Sequence, residues 1–281
     1  MIQLALSARA KINLGLRILR KRDDGYHDII TRFQRISLAD IVFLHPFSSG
    51  VEYNGPALTE RPEQNLVWRA ATGFIKEFGG GGVAVALTKC IPAGAGLGGG
   101  ASDAASTLLG LARMNNVNPD NPRLLAIAAE LGADVPFFML DSPSAIGEGK
   151  GERLSIAKGL PESRWVSVLW PGFEISTARA YQERDNALTP PIIDNNFKIR
   201  LIPANEDCGT CVDYINDFEP VVFAAHPELK TTRDDLLHHG AISAGLGGSG
   251  SSLFAIFDSE AKARAAITRR SEWLGFVCRP C

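Results

Sequence analysis

Twelve residues, Pro92-Ala93-Gly94-Ala95-Gly96-Leu97-Gly98-Gly99-Gly100-Ala101-Ser102-Asp103, carry the clearest chemical signal in the chain. Five of the twelve are glycine. Glycine lets a backbone approach a ligand closely, and the free N–H groups of a following helix would point at that ligand. The helix dipole adds a preference for negative charge, so the default ligand is a phosphate chain. The run is not a Walker P-loop, because no Gly-Lys-Ser/Thr follows it. Gly96, Gly98 and Ala101 can be forced onto the dinucleotide pattern. That pattern wants an acidic residue at a strand end about twenty positions on, and Asp120 sits in a Pro/Asn turn instead. The plainer alternative is that the glycines serve only a tight turn or helix–strand packing. Asp103 is an awkward neighbour for phosphate and is expected to face a cation or cap the helix.

Three further groups have the right chemistry for group transfer. Asp134 follows Gly132-Ala133 and precedes apolar residues. A carboxylate so placed can accept a proton from a hydroxyl, or can simply bond backbone N–H groups at a helix end. Lys11 lies within Ala10-Lys11-Ile12-Asn13-Leu14, where strand alternation puts Arg9, Lys11 and Asn13 on one face. Alone, that face reads as solvated. Tyr26-His27 follows Asp24-Gly25 and offers an aromatic face beside a hydrogen-bonding ring, although a turn histidine is usually just exposed. Of the five cysteines, Cys90 stands alone, and Cys208/Cys211 and Cys278/Cys281 form two C-x-x-C pairs. They are too far apart for a zinc ribbon, so reduced thiols are preferred over a four-thiolate zinc site or a redox disulfide. Zinc analysis of chelator-washed protein separates these readings.

The elements that must position these residues are legible from periodicity. Leu4–Ala8 and the alternating Ile12–Ile18 read as strands, broken by the turn Asp23-Asp24-Gly25. Arg35–Leu38 and Ile41–Leu44 read as two more. Asn65 is a plausible N-cap for a helix carrying Leu66, Ala70, Phe74 and Ile75, ended by Gly79–Gly82. Val83–Leu87 reads as a buried strand entering the glycine run. After it, Ala101, Ala104, Ala105, Leu108, Leu109 and Ala112 recur at helical spacing. Asn121-Pro122 starts another helix, closed by Gly132. Gly147–Glu152 reads as a polar, glycine-rich hinge, with a second unit starting near Ser155 and its first strand at Trp165–Trp170. Residues 185–210 read as irregular. Ala244–Ser252 is a second glycine-rich loop that enters the strand Leu253–Phe257, and Ser259 then caps a helix.

The bulk composition sets the frame. The 281 residues are 45% hydrophobic and 21% charged, enough for a real core in one large or two ordinary domains. A net charge of −2 argues against a nucleic-acid surface. No apolar run is long enough for a bilayer, and Met1–Ser7 lacks the basic region of a signal peptide. The expected place is the cytoplasm, with neither nucleic acid nor membrane as partner, as a monomer or homodimer.

Together the motifs resemble the GHMP kinases, the family of galactokinase, homoserine kinase, mevalonate kinase and phosphomevalonate kinase. The resemblance rests on Ala10–Leu14, Pro92–Ala105 and Gly248–Ser252, in that order, over nearly the whole chain. Asp24-Gly25-Tyr26-His27-Asp28 and Gly132-Ala133-Asp134-Val135-Pro136 are similar to the marks of one branch, whose substrate carries a cytidine diphosphate group in non-mevalonate isoprenoid synthesis. The resemblance implies an α/β fold of the α+β type: an N-terminal α/β domain (1–153), a ferredoxin-like α/β domain (154–281), and an active site in the cleft. It implies ATP-dependent phosphorylation of the 2-hydroxyl of 4-diphosphocytidyl-2-C-methyl-D-erythritol, with Mg²⁺ accompanying the ATP. Lys11 and Asp134 would be the catalytic pair. Pro92, Ala93, Gly94, Ala95, Gly96, Leu97, Gly98, Gly99, Gly100, Ala101 and Ser102 would cradle the ATP phosphates, with Lys89 near the base end. Asn13 and Thr177 would contact substrate, Tyr26 and Tyr181 would sandwich cytosine, and His27 would bond its edge. Arg9, Ala101 and Gly247 depart from the usual Pro, Ser and Ser/Thr. Homoserine or mevalonate kinase, and a nucleotide-binding module without turnover, are the rival readings.

Overall fold

A computed structural model describes residues 3–187 and 214–281. Cys208 and Cys211, and most of the segment expected to be irregular, lie outside the described residues. Contacts divide the chain into two units that interleave along the sequence: Met1–Ala10, Leu38–Ala93 and Gly98–Asp141 form the first, and Lys11–Ser37, Gly94–Leu97 and Ser142–Cys281 the second. The contacts are thus drawn differently from the 1–153 and 154–281 division expected from sequence. The reason is two long strands, β1 (Leu4–Lys21) and β2 (His27–Phe47), each of which contributes to both units. The four short strands expected between residues 4 and 44 are pieces of these two.

In the first unit, the later half of β2 pairs antiparallel with β4 (Gly82–Thr88), from Ile41 opposite Thr88 to Phe47 opposite Gly82. β3 (Val51–Asn54) joins β4 in parallel. Helix α1 (Leu66–Phe78) starts as expected, with the Asn65 side chain accepting from the Val67 N–H at 2.9 Å. Its buried Val67, Ala70, Ala71 and Phe74 recur at helical spacing, and Gly79 at φ 73° ends it. Helix α2 (Gly99–Met114) buries Ala104, Ala105, Leu108, Leu111 and Ala112. A Cβ on its Gly110 would lie 2.4 Å from a Leu44 methyl, so the small residue lets the helix lie tight against β2. Helix α3 (Pro122–Leu131) is capped by Asn121, and the short α4 (Val135–Met139) follows Asp134.

In the second unit, the early half of β2 pairs with β5 (Ser144–Gly149), which turns back into β6 (Arg153–Ile156). The expected hinge at Gly147–Glu152 is therefore a β-hairpin. Its glycines answer local geometry: Gly149 and Gly151 have φ of 72° and 107°, and a Cβ on Gly147 would meet the Phe33 ring at 2.7 Å. Then come β7 (Trp165–Trp170), α5 (Thr177–Asn186), α6 (Glu219–Ala225), α7 (Pro227–His238), β8 (Ser243–Leu246), β9 (Leu253–Phe257), α8 (Glu260–Thr268) and β10 (Leu274–Cys278). The part of the second glycine run before Gly247 is thus strand, and Asp185 and Asn186 are helical. The sheet order β10-β7-β9-β8, antiparallel throughout, is the split βαβ arrangement of a ferredoxin-like fold. β9 is buried at every position. Among the described residues no helix is long and apolar enough to cross a membrane.

Candidate active site

Lys11 and Asn13 are buried, not solvated, whereas Arg9 is exposed. The alternation in β1 marks no solvent face, because every residue from 10 to 18 is buried and the polar ones find partners. Lys11 Nζ donates to Asn13 Oδ1 at 2.8 Å, Asn13 Nδ2 donates to Thr31 Oγ1 at 2.8 Å, and Thr31 donates to the Gly15 carbonyl at 2.7 Å. This chain fixes the orientation of the ammonium. The Phe33 ring lies beside it, with its centroid 5.6 Å from Nζ. The Lys11 N–H donates to the Leu97 carbonyl at 2.9 Å, which ties the strand to the first glycine run.

Within the second unit the two glycine runs meet. Ser252 Oγ donates to the Ala95 carbonyl at 2.6 Å. A Cβ on Gly96 would fall 2.0 Å from the Gly247 oxygen, and one on Gly94 would fall 2.3 Å from Glu174. Both have positive φ, 79° and 64°. These two glycines are thus demanded by protein packing and backbone conformation, the plainer of the two alternatives open from sequence. Gly98, at φ 70°, is the N-cap of α2, so Gly99–Ser102 form the helical turn whose leading N–H groups have no helical acceptor. A Cβ on Gly248 would come 3.4 Å from Asn13 Oδ1 and 3.5 Å from Lys11 Nζ, which puts the second loop beside the buried lysine. Ser249 Oγ and Thr177 Oγ1 share a hydrogen bond of 2.8 Å, and Asn216 Nδ2 donates to the Gly248 carbonyl at 2.7 Å.

A second cluster lies at the start of β2. Tyr26 is exposed, with the Lys150 ammonium 4.5 Å above its ring centroid. His27 is not an exposed turn residue: it opens β2, and only 6% of it is accessible. Its ring stacks on Tyr181 of α5, with centroids 4.4 Å apart and planes 10° from parallel. His27 Nε2 lies 2.7 Å from Asp185 Oδ1, and Lys21 Nζ donates to Asp185 Oδ2 at 2.7 Å. Burial pushes the Asp185 carboxyl up, but the hydrogen bonds from Lys21 and His27 outweigh it and hold the group below the usual carboxylate range. The i, i+4 spacing of Tyr181 and Asp185 on α5 puts both on His27's side of the helix. The sequence reading found the two rings and missed the carboxylate.

In the first unit Lys89 Nζ donates to Asp40 and, at 2.9 Å, to Asp103 Oδ2. Asp103 thus faces a cation, as expected, and that cation is Lys89. Asp40 is fully buried, and its Oδ1 accepts the Cys90 and Ile91 N–H groups at 2.6 and 2.8 Å, which anchors the entry to the glycine run. Burial raises the Asp103 carboxyl to about 7, against the opposing pull of Lys89, and Asp103 Oδ1 has no hydrogen-bond partner among the described residues. Asp40 was missed, although a lone carboxylate in the apolar run Leu38-Ala39-Asp40-Ile41-Val42 was its signal. Asp134 is half-buried at the N-cap position of α4, and its side chain does not cap that helix. Among the described residues no three His, Cys, Asp or Glu side chains gather as a metal cluster.

The comparisons agree with this architecture. Residues 65–142 match the GHMP kinases N terminal domain, and residues 202–274 match GHMP kinases C terminal. The chain belongs to the GHMP kinases, enzymes that take ATP as co-substrate, and it is a phosphotransferase. Curated relatives that share one name match it over nearly the full chain. It is 39% identical, over 98% of its length and 99% of theirs, to the 4-diphosphocytidyl-2-C-methyl-D-erythritol kinase of Syntrophus aciditrophicus. The enzyme of the same name from Prosthecochloris aestuarii is 39% identical over 96% of this chain and 95% of that one. The crystal structure of a 4-(cytidine 5′-diphospho)-2C-methyl-D-erythritol kinase superposes with a TM-score of 0.79 at 35% identity, covering 98% of each chain.

Proposed function

We propose that the chain transfers a phosphoryl group from ATP to the 2-hydroxyl of 4-diphosphocytidyl-2-C-methyl-D-erythritol, giving the 2-phosphate and ADP, for non-mevalonate isoprenoid synthesis in the cytoplasm. The observation that carries this reading is the likeness to kinases of that name over nearly the full chain. Mevalonate and homoserine have no base for the Tyr26, His27 and Tyr181 cluster to recognise, so that cluster supports the cytidine compound over them.

Asp134 takes the proton of the 2-hydroxyl as that oxygen attacks the γ-phosphoryl group. Lys11 keeps Asp134 ionised and orients the hydroxyl, with its own ammonium aimed by Asn13 and Thr31. Asn13 and Thr177 hold the methylerythritol. The turn from Pro92 to Ser102 cradles the ATP phosphates on the leading N–H groups of α2, and Lys89 lies toward the base end. A Mg²⁺ bound with the ATP at this turn would supply charge neutralisation for the phosphates.

An ADP-release assay with Mg·ATP and four acceptors tests the reading. They are the cytidine compound, the methylerythritol phosphate without cytidine, mevalonate and homoserine. Turnover of the cytidine compound alone is expected. Turnover of mevalonate or homoserine in its place discards the substrate and keeps the kinase.

A further inference from the structure

The pair formed by His27 and Asp185 has a consequence for which base the site accepts. It rests on the cytidine reading above. Asp185 Oδ2 takes a hydrogen bond from the Lys21 ammonium, and Asp185 Oδ1 sits 2.7 Å from His27 Nε2. An ionised carboxylate can only accept, so Nε2 must carry the proton. In a neutral ring that leaves Nδ1 as an acceptor. The ring cannot turn over to exchange its two nitrogens, because it is stacked on Tyr181 and 94% enclosed.

An acceptor on the protein distinguishes the pyrimidines. The edge of cytosine that includes position 4 carries one donor, the exocyclic amino group, and uracil has a carbonyl oxygen there. We propose that Asp185 is a positioning residue: through Nε2 it sets His27 Nδ1 as an acceptor for the cytosine 4-amino group, and so selects cytidine over uridine. A uridine compound would set its carbonyl oxygen against the Nδ1 lone pair. Sites built on a specific hydrogen bond reject the mismatched analogue strongly, because a buried polar group is left facing a like partner.

Asp185→Asn gives an outcome that a merely structural role does not. Lys21 is donor-only, so the new amide turns its oxygen to Lys21 and its NH₂ to His27 Nε2. Nε2 then becomes the acceptor and the proton moves to Nδ1, which now donates. Long-range ¹H–¹⁵N spectra of histidine in the ligand-free full chain read this directly, with His27 assigned from His27→Gln. The wild type is expected to show the Nε2–H tautomer and Asp185→Asn the Nδ1–H tautomer. Combining Lys21→Ala with Asp185→Asn frees the amide to turn, and should restore Nε2–H in part.

The kinetic arm compares the cytidine compound with its uridine counterpart. The kcat/KM preference for cytidine is expected to fall at least about tenfold in Asp185→Asn, the loss expected of one buried hydrogen bond. It should fall through KM, with kcat for the cytidine compound little changed, and recover in the double variant. A wild-type ring protonated on Nδ1, or an unchanged tautomer in Asp185→Asn, overturns the assignment of the proton. An inverted tautomer with an unchanged cytidine/uridine ratio overturns the role in base selection. A wild type that turns over neither compound overturns the cytidine reading itself, and the tautomer spectra report on Asp185 regardless.

Discussion

Asp134 and Tyr26 separate chemistry from binding. Asp134→Asn removes the proton acceptor and leaves the glycine turn intact. Its kcat is expected to fall by about 100-fold or more while ATP affinity by calorimetry stays near that of the wild type. Wild-type-like turnover would remove Asp134 from the role of base. Tyr26→Ala takes away an exposed ring that carries no core packing. It should raise KM for the cytidine compound roughly three- to tenfold with little change in kcat or melting temperature. An unchanged KM would mean that Tyr26 does not stack on the base. Lys11 is less separable, because it is buried and its ammonium is the donor for Asn13. Lys11→Met would cost stability as well as rate, since Asn13 Oδ1 would lose its partner.

At the scale of elements, the sequence was legible where one local signal had one cause. Asn65 and Asn121 both cap helices through their side chains, as their positions before apolar periodicity imply. Helix α2 and strand β9 fall where their patterns put them. Misreadings came where a local signal had two possible causes. Glycines at 147–151 looked like a hinge and belong to a β-hairpin. The polar alternation in β1 looked like a solvent face and is a buried, hydrogen-bonded one. His27 could not be placed without its partners on α5, 154 and 158 positions later at Tyr181 and Asp185. Gly96 shows the cost of the tight approach between the two glycine loops. Gly96→Ala adds a Cβ 2.0 Å from the Gly247 oxygen at a φ of 79°. Destabilisation of about 2–4 kcal/mol is expected by urea unfolding. Gly172→Ala has a similar φ of 92° with open space around it, and should cost only about 1 kcal/mol. Equal losses in the two variants would mean that strain, not contact, governs Gly96.

At the scale of the whole molecule, stability should carry the signature of the Lys89, Asp40 and Asp103 cluster. The Asp103 carboxyl titrates at about 7 in the fold, above its value of about 4 in an unfolded chain. A raised folded pKa contributes stability that is complete below about pH 4 and is lost as pH rises through about 7. Asp103→Asn lacks this dependence. Between pH 5 and 8 its unfolding free energy should gain on the wild type by on the order of 1–3 kcal/mol. Parallel curves for the two proteins would show that Asp103 is ionised throughout. The interleaving of the two units has its own consequence, which concerns synthesis. β2 ends at Phe47, but β5, its partner in the second unit, starts at Ser144. At about 5–20 residues per second, half of β2 leaves the ribosome roughly 5–20 s before it can pair. For that interval it is an open strand edge, the kind that recruits other nascent chains. Asp28 and Arg32, both on that half, then serve twice. In the finished enzyme they hold partners. On the way there they act as gatekeepers that keep a waiting strand from aggregating.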